Sequence, residues 1–259
     1  MNERPGSLLA ADEPPPVTIY NAGGTSPLLL VADHAGKLMP RALGHLGVAE
    51  AERERHIAWD IGIAPLGRML AGRLDATLIR QNYSRLVIDC NRPLSVAASI
   101  PEVSELTAIP GNVGLNEPAK AARAQAIFWP YHASIAAELD RRQQSGRPTA
   151  LIALHSFTPV FKSVARPMQA ALLYHRDPRL ARRLLALLRE QSGLIVGDNE
   201  PYFVSDQTDY TIPAHGERRG ILHALIEIRQ DLIAEEQGQR DWAVTLARVL
   251  PQAYRDLAM

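Results

Sequence analysis

Five short stretches carry side chains that could do chemistry. "VADHAG" places Asp33 and His34 directly after an apolar run, and "LHSF" places His155 and Ser156 at the end of another. "RERHIAWDIG" offers His56 and Asp60, "RLVIDCNRP" offers Asp89, Asn91 and Arg92, and "HALIEIRQD" offers Glu227 and Arg229. Two imidazoles and one carboxylate are the ligand set of a catalytic zinc site whose fourth position holds water. Such a metal, a glutamate as base and an arginine for a substrate carboxylate would together make an amide hydrolase. The plainer reading of a histidine that closes a buried strand is a hydrogen-bonded core residue. Compact signatures are missing: the chain has no HExxH, CxxC, GxSxG, GxxxxGKS/T or GxGxxG. A serine hydrolase built on Ser156 and His155 fits poorly, because adjacent strand residues face opposite ways.

Several other polar residues have mild readings. Four positions separate His56 from Asp60, a surface pair if one helix spans both. His45, His132, His175 and His223 show no partner pattern. Cys90 reads as a buried inert thiol, and Arg85 as a support for Asp89. Asp89 itself fits either orientation of a histidine or capping of the backbone.

These residues need a scaffold. Short apolar runs predict strands over 17–20, 28–32, 76–81, 85–89, 150–154, 169–174, 194–196 and 223–228. Helical spacing predicts helices over about 49–57, 60–73, 117–145, 177–192 and 239–257, with Pro251 a possible kink in the last. Continuous apolar strands alternating with amphipathic helices indicate an α/β domain covered on both faces. Residues 1–16, ending in "EPPP", read as a flexible arm, and 17–259 as a single domain. Two long irregular stretches, 93–116 and 197–220, are candidates for loops around a site at the carboxyl ends of the strands.

Composition narrows the partners. Lys plus Arg and Asp plus Glu number 28 each, so no net basic charge is available for nucleic acid. No apolar stretch approaches the ~20 residues of a membrane span, no signal peptide is visible, and one cysteine forms no internal disulfide. These features lead us to expect a cytoplasmic protein.

With those pieces assembled, the sequence resembles the N-formylglutamate amidohydrolase (deformylase) family, on "VADHAG", "HIAWDIG", "RLVIDCNRP", "LHSF" and "HGERRGILHALIEIRQDLI" in that order. The resemblance implies a three-layer α/β/α fold related to zinc carboxypeptidases and aspartoacylase, with a mixed, mostly parallel, eight-stranded sheet. It implies hydrolysis of N-formyl-L-glutamate, or a similar N-acyl amino acid, to formate and the free amino acid, at the end of histidine degradation. It further implies a divalent metal, zinc by expectation, held by His34 and His155. The carboxypeptidase relatives have a glutamate three residues after the first histidine, where this chain has Lys37, an ammonium that cannot ligate. Asp60 is the replacement, with Asp33 and Asp89 as competitors. Glu227 is implied as the general base; Asn91 and Arg92 hold the substrate carboxylate, while His215 and Arg229 are substrate or oxyanion contacts. The alternative is a catalytically silent carboxylate-binding protein that lost its metal with the change to Lys37.

Overall fold

Continuous apolar runs become buried strands here because helices cover both of their faces. Four such strands lie inside the sheet, β2 (Leu28–Ala32), β3 (Thr77–Gln81), β6 (Ala150–Phe157) and β11 (Leu222–Arg229), with the partly exposed β1 (Val17–Tyr20) at one edge. With β9 (Ala170–Leu173) and β10 (Val196–Asp198) they make a seven-stranded sheet of order β1-β3-β2-β6-β11-β9-β10. The computed structural model describes residues 8–190 and 193–258. The central pairs β3/β2, β2/β6 and β6/β11 are parallel, as is β9/β10, whereas β1/β3 and β11/β9 are antiparallel. The sheet is thus mixed and mostly parallel, with seven strands among the described residues rather than the eight the resemblance implied.

Strand alternation divides the core in two. Leu28, Leu30, Ile152, Leu154 and Ile226 face one layer, built on α2 (Ile63–Leu74), α5 (Arg179–Arg189) and α6 (Glu236–Leu257). Leu29, Val31, Leu151, Ala153 and Leu225 face the other, where Ile127, Phe128, Tyr131 and Ile135 project from a long helical segment. That segment runs from α3 (Glu117–Arg123) through a π-helical turn into α4 (Trp129–Gln144). α6 continues through Pro251, and the end of the helix expected over 177–192 lies partly outside the described residues.

Two expectations need correction. Residues 85–89 form no strand: Leu86, Val87 and Ile88 are buried against the second helical layer, but the backbone turns, with Val87 N donating to Ser84 O at 2.9 Å and Asp89 N to Ser99 O at 2.8 Å. An apolar run of this length looks the same in sequence whether it pairs in a sheet or plugs a loop. The helix expected over 49–57 is only α1 (Glu50–Arg53), so His56 and Asp60 do not share a helix face. Pro14 and Pro16 are held by the segment after β3: Tyr83 Oη donates to Pro14 O at 2.8 Å and Asn82 N to Pro16 O at 2.9 Å.

Two small hairpins stand above the sheet, β4 (Val103–Ser104) with β5 (Thr107–Ala108), and β7 (Val160–Phe161) with β8 (Val164–Ala165). Two glycines hold the motif loops in place beneath them. A Cβ on Gly36 of "DHAG" would lie 2.0 Å from the Asn82 backbone, and Gly62 of "WDIG", at φ 82°, would place one 2.2 Å from Ile233 O. Backbone approach that close admits only glycine. Gly62→Ala should therefore lower stability by about 1–3 kcal/mol, read as a reduced urea midpoint, with a larger loss than Gly72→Ala, whose Cβ meets nothing within 4 Å. Equal midpoints for the two variants would show that the "WDIG" turn is not so constrained.

Candidate active site

The ends of β2 and β6 and the middle of the "WDIG" turn converge at one edge of the sheet. β2 runs straight into Asp33 and His34. His155 lies in β6 on the face of Leu151 and Ala153, and Glu227 of β11 is its register partner on the same face. Asp60 reaches the site because its backbone N–H donates to His34 O at 2.8 Å. One donor atom from each of His34, Asp60 and His155 falls within 4.8 Å of the others, and all three residues are buried. The two rings meet edge to face with centroids 4.9 Å apart.

The hydrogen bonds decide which imidazole nitrogens remain free. His34 Nε2 lies 2.6 Å from Asp89 Oδ1, and His155 Nε2 lies 2.9 Å from Asp33 Oδ2. A carboxylate can only accept, so each Nε2 carries the hydrogen and each Nδ1 of a neutral ring is left as a lone pair. His34 Nδ1 is buried with no hydrogen-bond partner, 3.6 Å from Asp60 Oδ2; His155 Nδ1 lies 3.0 Å from that same oxygen. Ligands on a tetrahedral ion with bonds of about 2.0–2.1 Å sit about 3.3 Å from one another, so the two measured separations straddle the required edge. The carboxylate–histidine arrangement is also the one that orients imidazoles toward a metal. The residues therefore fit a divalent cation.

Asp33 and Asp89, the competitors for the third position, are thus engaged behind the histidines. Asp89 does both jobs considered for it, since Oδ1 also accepts from Asn91 N at 2.9 Å. Its Oδ2 accepts from Arg85 Nη2 at 2.6 Å and Nε at 3.1 Å, as Arg85's supporting role anticipated. Asp33 is braced by Thr211 Oγ1, which donates to its Oδ1 at 2.6 Å, a partner that nothing in the sequence marked. Burial raises the Asp33 carboxyl, but the His155 hydrogen bond and charge more than reverse this and bring it down to about 2. Burial likewise opposes the charge on Asp89, and Arg85 and His34 outweigh it, so Asp89 is held well below the carboxylate range.

Glu227 is different. It is buried, its Oε2 has no hydrogen-bond partner, and burial together with the nearby Asp60 charge pushes it up to about 7, against the pull of His155, His34 and Arg85. A carboxyl poised near neutrality beside a cation site suits proton transfer.

A cavity of about 450 Å³ opens over His34, Asp60, His155 and Glu227, within the range of small-molecule sites. Arg92 lines it, half-buried. Asn91 lines it too, but its amide is already committed: Oδ1 accepts from Tyr210 N and Thr211 N at 3.1 and 3.0 Å, and Nδ2 donates to Asp209 at 2.8 Å. Asn91 therefore pins the 209–211 segment. Neither His215 nor Arg229 lines the cavity. Arg229 pairs with Asp231 at 2.8 Å, and His215 lies in a buried π-helical turn, stacked on His132 at 5.2 Å between centroids.

Other residues are placed plainly. Lys37 lies outside the site, 2.5 Å from Glu54 and 5.0 Å over the Trp59 ring, so its charge does not bear on the cation position. Ser156 Oγ donates to Ile61 O at 2.9 Å and is spent as a nucleophile. Burial pushes the Cys90 thiol far up. His56 lines the cavity instead of the solvent, a placement hidden because the helix read across it stops early.

Against this geometry, a family model for N-formylglutamate amidohydrolase matches residues 26–234. The chain belongs to the N-formylglutamate amidohydrolase family. It is a hydrolase of amide bonds, and the resemblance read from its motifs holds. The gene product Atu2144 from Agrobacterium tumefaciens has a solved structure that is 35% identical, with a TM-score of 0.94, covering 97% of this chain and 100% of its own. N-formylglutamate amidohydrolase from Ralstonia eutropha JMP134 is 21% identical at a TM-score of 0.67, covering 93% of this chain and 99% of its own, and shares the fold. No curated protein matches the chain. No helix among the described residues is long and apolar enough to cross a membrane.

The His132–His215 pair yields a pH prediction. His132 Nε2 donates to Cys90 O at 2.8 Å, so its Nδ1 accepts from His215 Nε2 at 3.0 Å and both rings are neutral. Burial, first, and for His215 the adjacent His132, depress them to about 4 and about 3. Unfolded, they titrate near the ordinary ~6.5, so below that pH the unfolded chain binds more protons. Their contribution is complete above pH ~6.5 and is lost progressively as the pH falls toward the folded values. The urea midpoint of wild type should fall more steeply between pH 7 and 5 than that of His215→Gln, and parallel slopes would contradict the assignment.

Proposed function

We propose that this hydrolase is a metal-dependent deacylase of small N-acyl amino acids, with N-formyl-L-glutamate, the compound in the family's name, as the first substrate to examine. The observation that carries the reading is the buried, partnerless Nδ1 of His34 beside Asp60 and His155, with both Nε2 atoms already held by carboxylates. His34, Asp60 and His155 would hold the ion, and zinc suits two imidazoles and a carboxylate. Such an ion supplies Lewis acidity to the amide carbonyl and acidity to a water.

The chain's own groups do the rest. Glu227 accepts the proton of the attacking water as oxygen adds to the acyl carbon. The carbon–nitrogen bond then breaks, and Glu227 returns that proton to the departing amine, giving a carboxylate, formate in the simplest case, and the free amino acid. A carboxyl near pH 7 can do both. Arg92 offers a planar donor fork for the amino acid's carboxylate, and Asn91 keeps the neighbouring 209–211 segment in place. The silent-binder alternative loses its motive, because Asp60 supplies the carboxylate that Lys37 could not.

Formate release from N-formyl amino acids should stop on incubation with a strong chelator and return on adding zinc. Glu227→Gln should lose at least about 10²–10⁴ of the rate, the usual share of a general base, while binding the ion in wild-type stoichiometry. A Glu227→Gln protein that folds but no longer holds the ion would make Glu227 a ligand instead. Undiminished activity in the chelated enzyme would overturn the metal requirement.

A further inference from the structure

The cavity has two unlike sides, and its charges are almost all spoken for. Two guanidinium groups line it. Arg85 is bound to Asp89 and lies 3.7 Å from Asp60, whereas Arg92 makes no ion pair within 4.0 Å among the described residues. The lining carboxylates beyond the cation site add negative potential: Glu105 is tied to Arg55, with His56 3.7 Å away, and Asp209 is bonded to Asn91 and Thr208. His56 does not offer a second cation, since burial holds its pKa below the ordinary value. The cavity thus has one unpaired fixed cation, enough for one carboxylate.

The opposite side is apolar. Val103 from the β4–β5 hairpin, Phe157 and Phe161 around the β6–β7 turn, and Tyr202 and Phe203 from the 197–220 stretch line it. Val103 is 59% exposed and Phe203 64%, apolar surface that the fold itself leaves uncovered. Behind them the buried Arg166 guanidinium sits 4.8 Å from the ring centroids of both Phe161 and Tyr202 and donates to Tyr202 Oη at 2.8 Å. These contacts fix the wall before any ligand arrives.

We infer that the substrate is an N-acyl amino acid with a single carboxylate, held by Arg92, and an uncharged apolar or aromatic side chain laid against the Val103–Phe161–Tyr202–Phe203 wall. This rests on the deacylase reading and narrows it. A glutamate side chain in the same place would bring a second carboxylate into a space that already holds Glu105 and Asp209, while the guanidinium of Arg166, which has no ion pair among the described residues, stands behind the Phe161 and Tyr202 rings and does not line the cavity. Desolvating an unpaired carboxylate is costly. An aromatic side chain would instead remove both its own surface and that of the wall from water.

The test compares formate release by the zinc-loaded enzyme from N-formyl-L-phenylalanine, N-formyl-L-leucine and N-formyl-L-glutamate. The expected result is a kcat/KM for phenylalanine and leucine at least tenfold above that for glutamate; equal or greater efficiency with glutamate overturns the inference. Phe203→Arg should raise glutamate efficiency at least fivefold and lower that of phenylalanine. Calorimetric titration of the same three compounds into Glu227→Gln ranks binding without turnover. Tighter phenylalanine binding there, with no hydrolysis by wild type, would sink the deacylase reading and leave the side-chain class standing. Equal affinities, or no binding by any of the three, would end the side-chain assignment.

Discussion

A surplus of buried negative charge at one edge of the sheet governs this molecule. Asp33, Asp60 and Asp89 are buried within one connected hydrogen-bonded and ionic cluster, and among the described residues the only guanidinium in contact with them is that of Arg85. Three carboxylates against one fixed cation leave two negative charges, which is the charge of one divalent ion when both histidines are neutral. Two unit charges 4 Å apart interact by about 4 kcal/mol even at an effective dielectric of 20, so an uncompensated cluster would be a large part of a domain's net stability of about 5–15 kcal/mol. Either two protons on His34 and His155 or a metal ion restores the balance. The neighbouring carboxylates hold both rings above the ordinary histidine range against their burial, and His34 Nδ1, buried with no hydrogen-bond partner, is the position an ion would take.

The rest of the fold serves that edge. Parallel strands bring β2, β6 and β11 to the same side with their carboxyl ends together, which is where open α/β sheets gather ligands. Apolar alternation anchors each strand in two helical layers, so that His155 and Glu227 are held as register partners. The turns around them are kept tight by glycines that no other residue could replace without moving backbone. Rigid elements therefore place the ion-holding atoms, while the two hairpins and the 201–209 segment shape what can approach them. Precision lies in the sheet, and selectivity in its loops.

Much of the site was legible in the sequence for a physical reason. A histidine at the end of an apolar run is a polar group that the fold must satisfy, and His34, Asp60 and His155 meet in space as their motifs suggested. The outer carboxylates were harder, because Asp33 and Asp89 are the same residue type as a ligand, and only the direction of His34 Nε2 and His155 Nε2 separates the roles. "RLVID" predicts a strand that does not form, because burial by a helical layer and burial by a sheet select the same apolar residues. The resemblance implies substrate contacts at Asn91, His215 and Arg229, and the structure pairs their polar atoms with the 209–211 backbone, His132 and Asp231. Sequence reports what a side chain can do, and local competition for its hydrogen bonds decides what it does. The apolar wall went unseen because its residues come from three separated loops with no shared spacing.

Anomalous X-ray scattering from zinc-loaded crystals, measured on either side of the zinc absorption edge, addresses the charge argument at its source. The account predicts one full-occupancy peak bonded to His34 Nδ1, His155 Nδ1 and an Asp60 oxygen, with both Nε2 atoms still turned to their carboxylates. A zinc peak elsewhere on the chain, with His34 and His155 bridging their aspartates as protonated imidazoles, would contradict it.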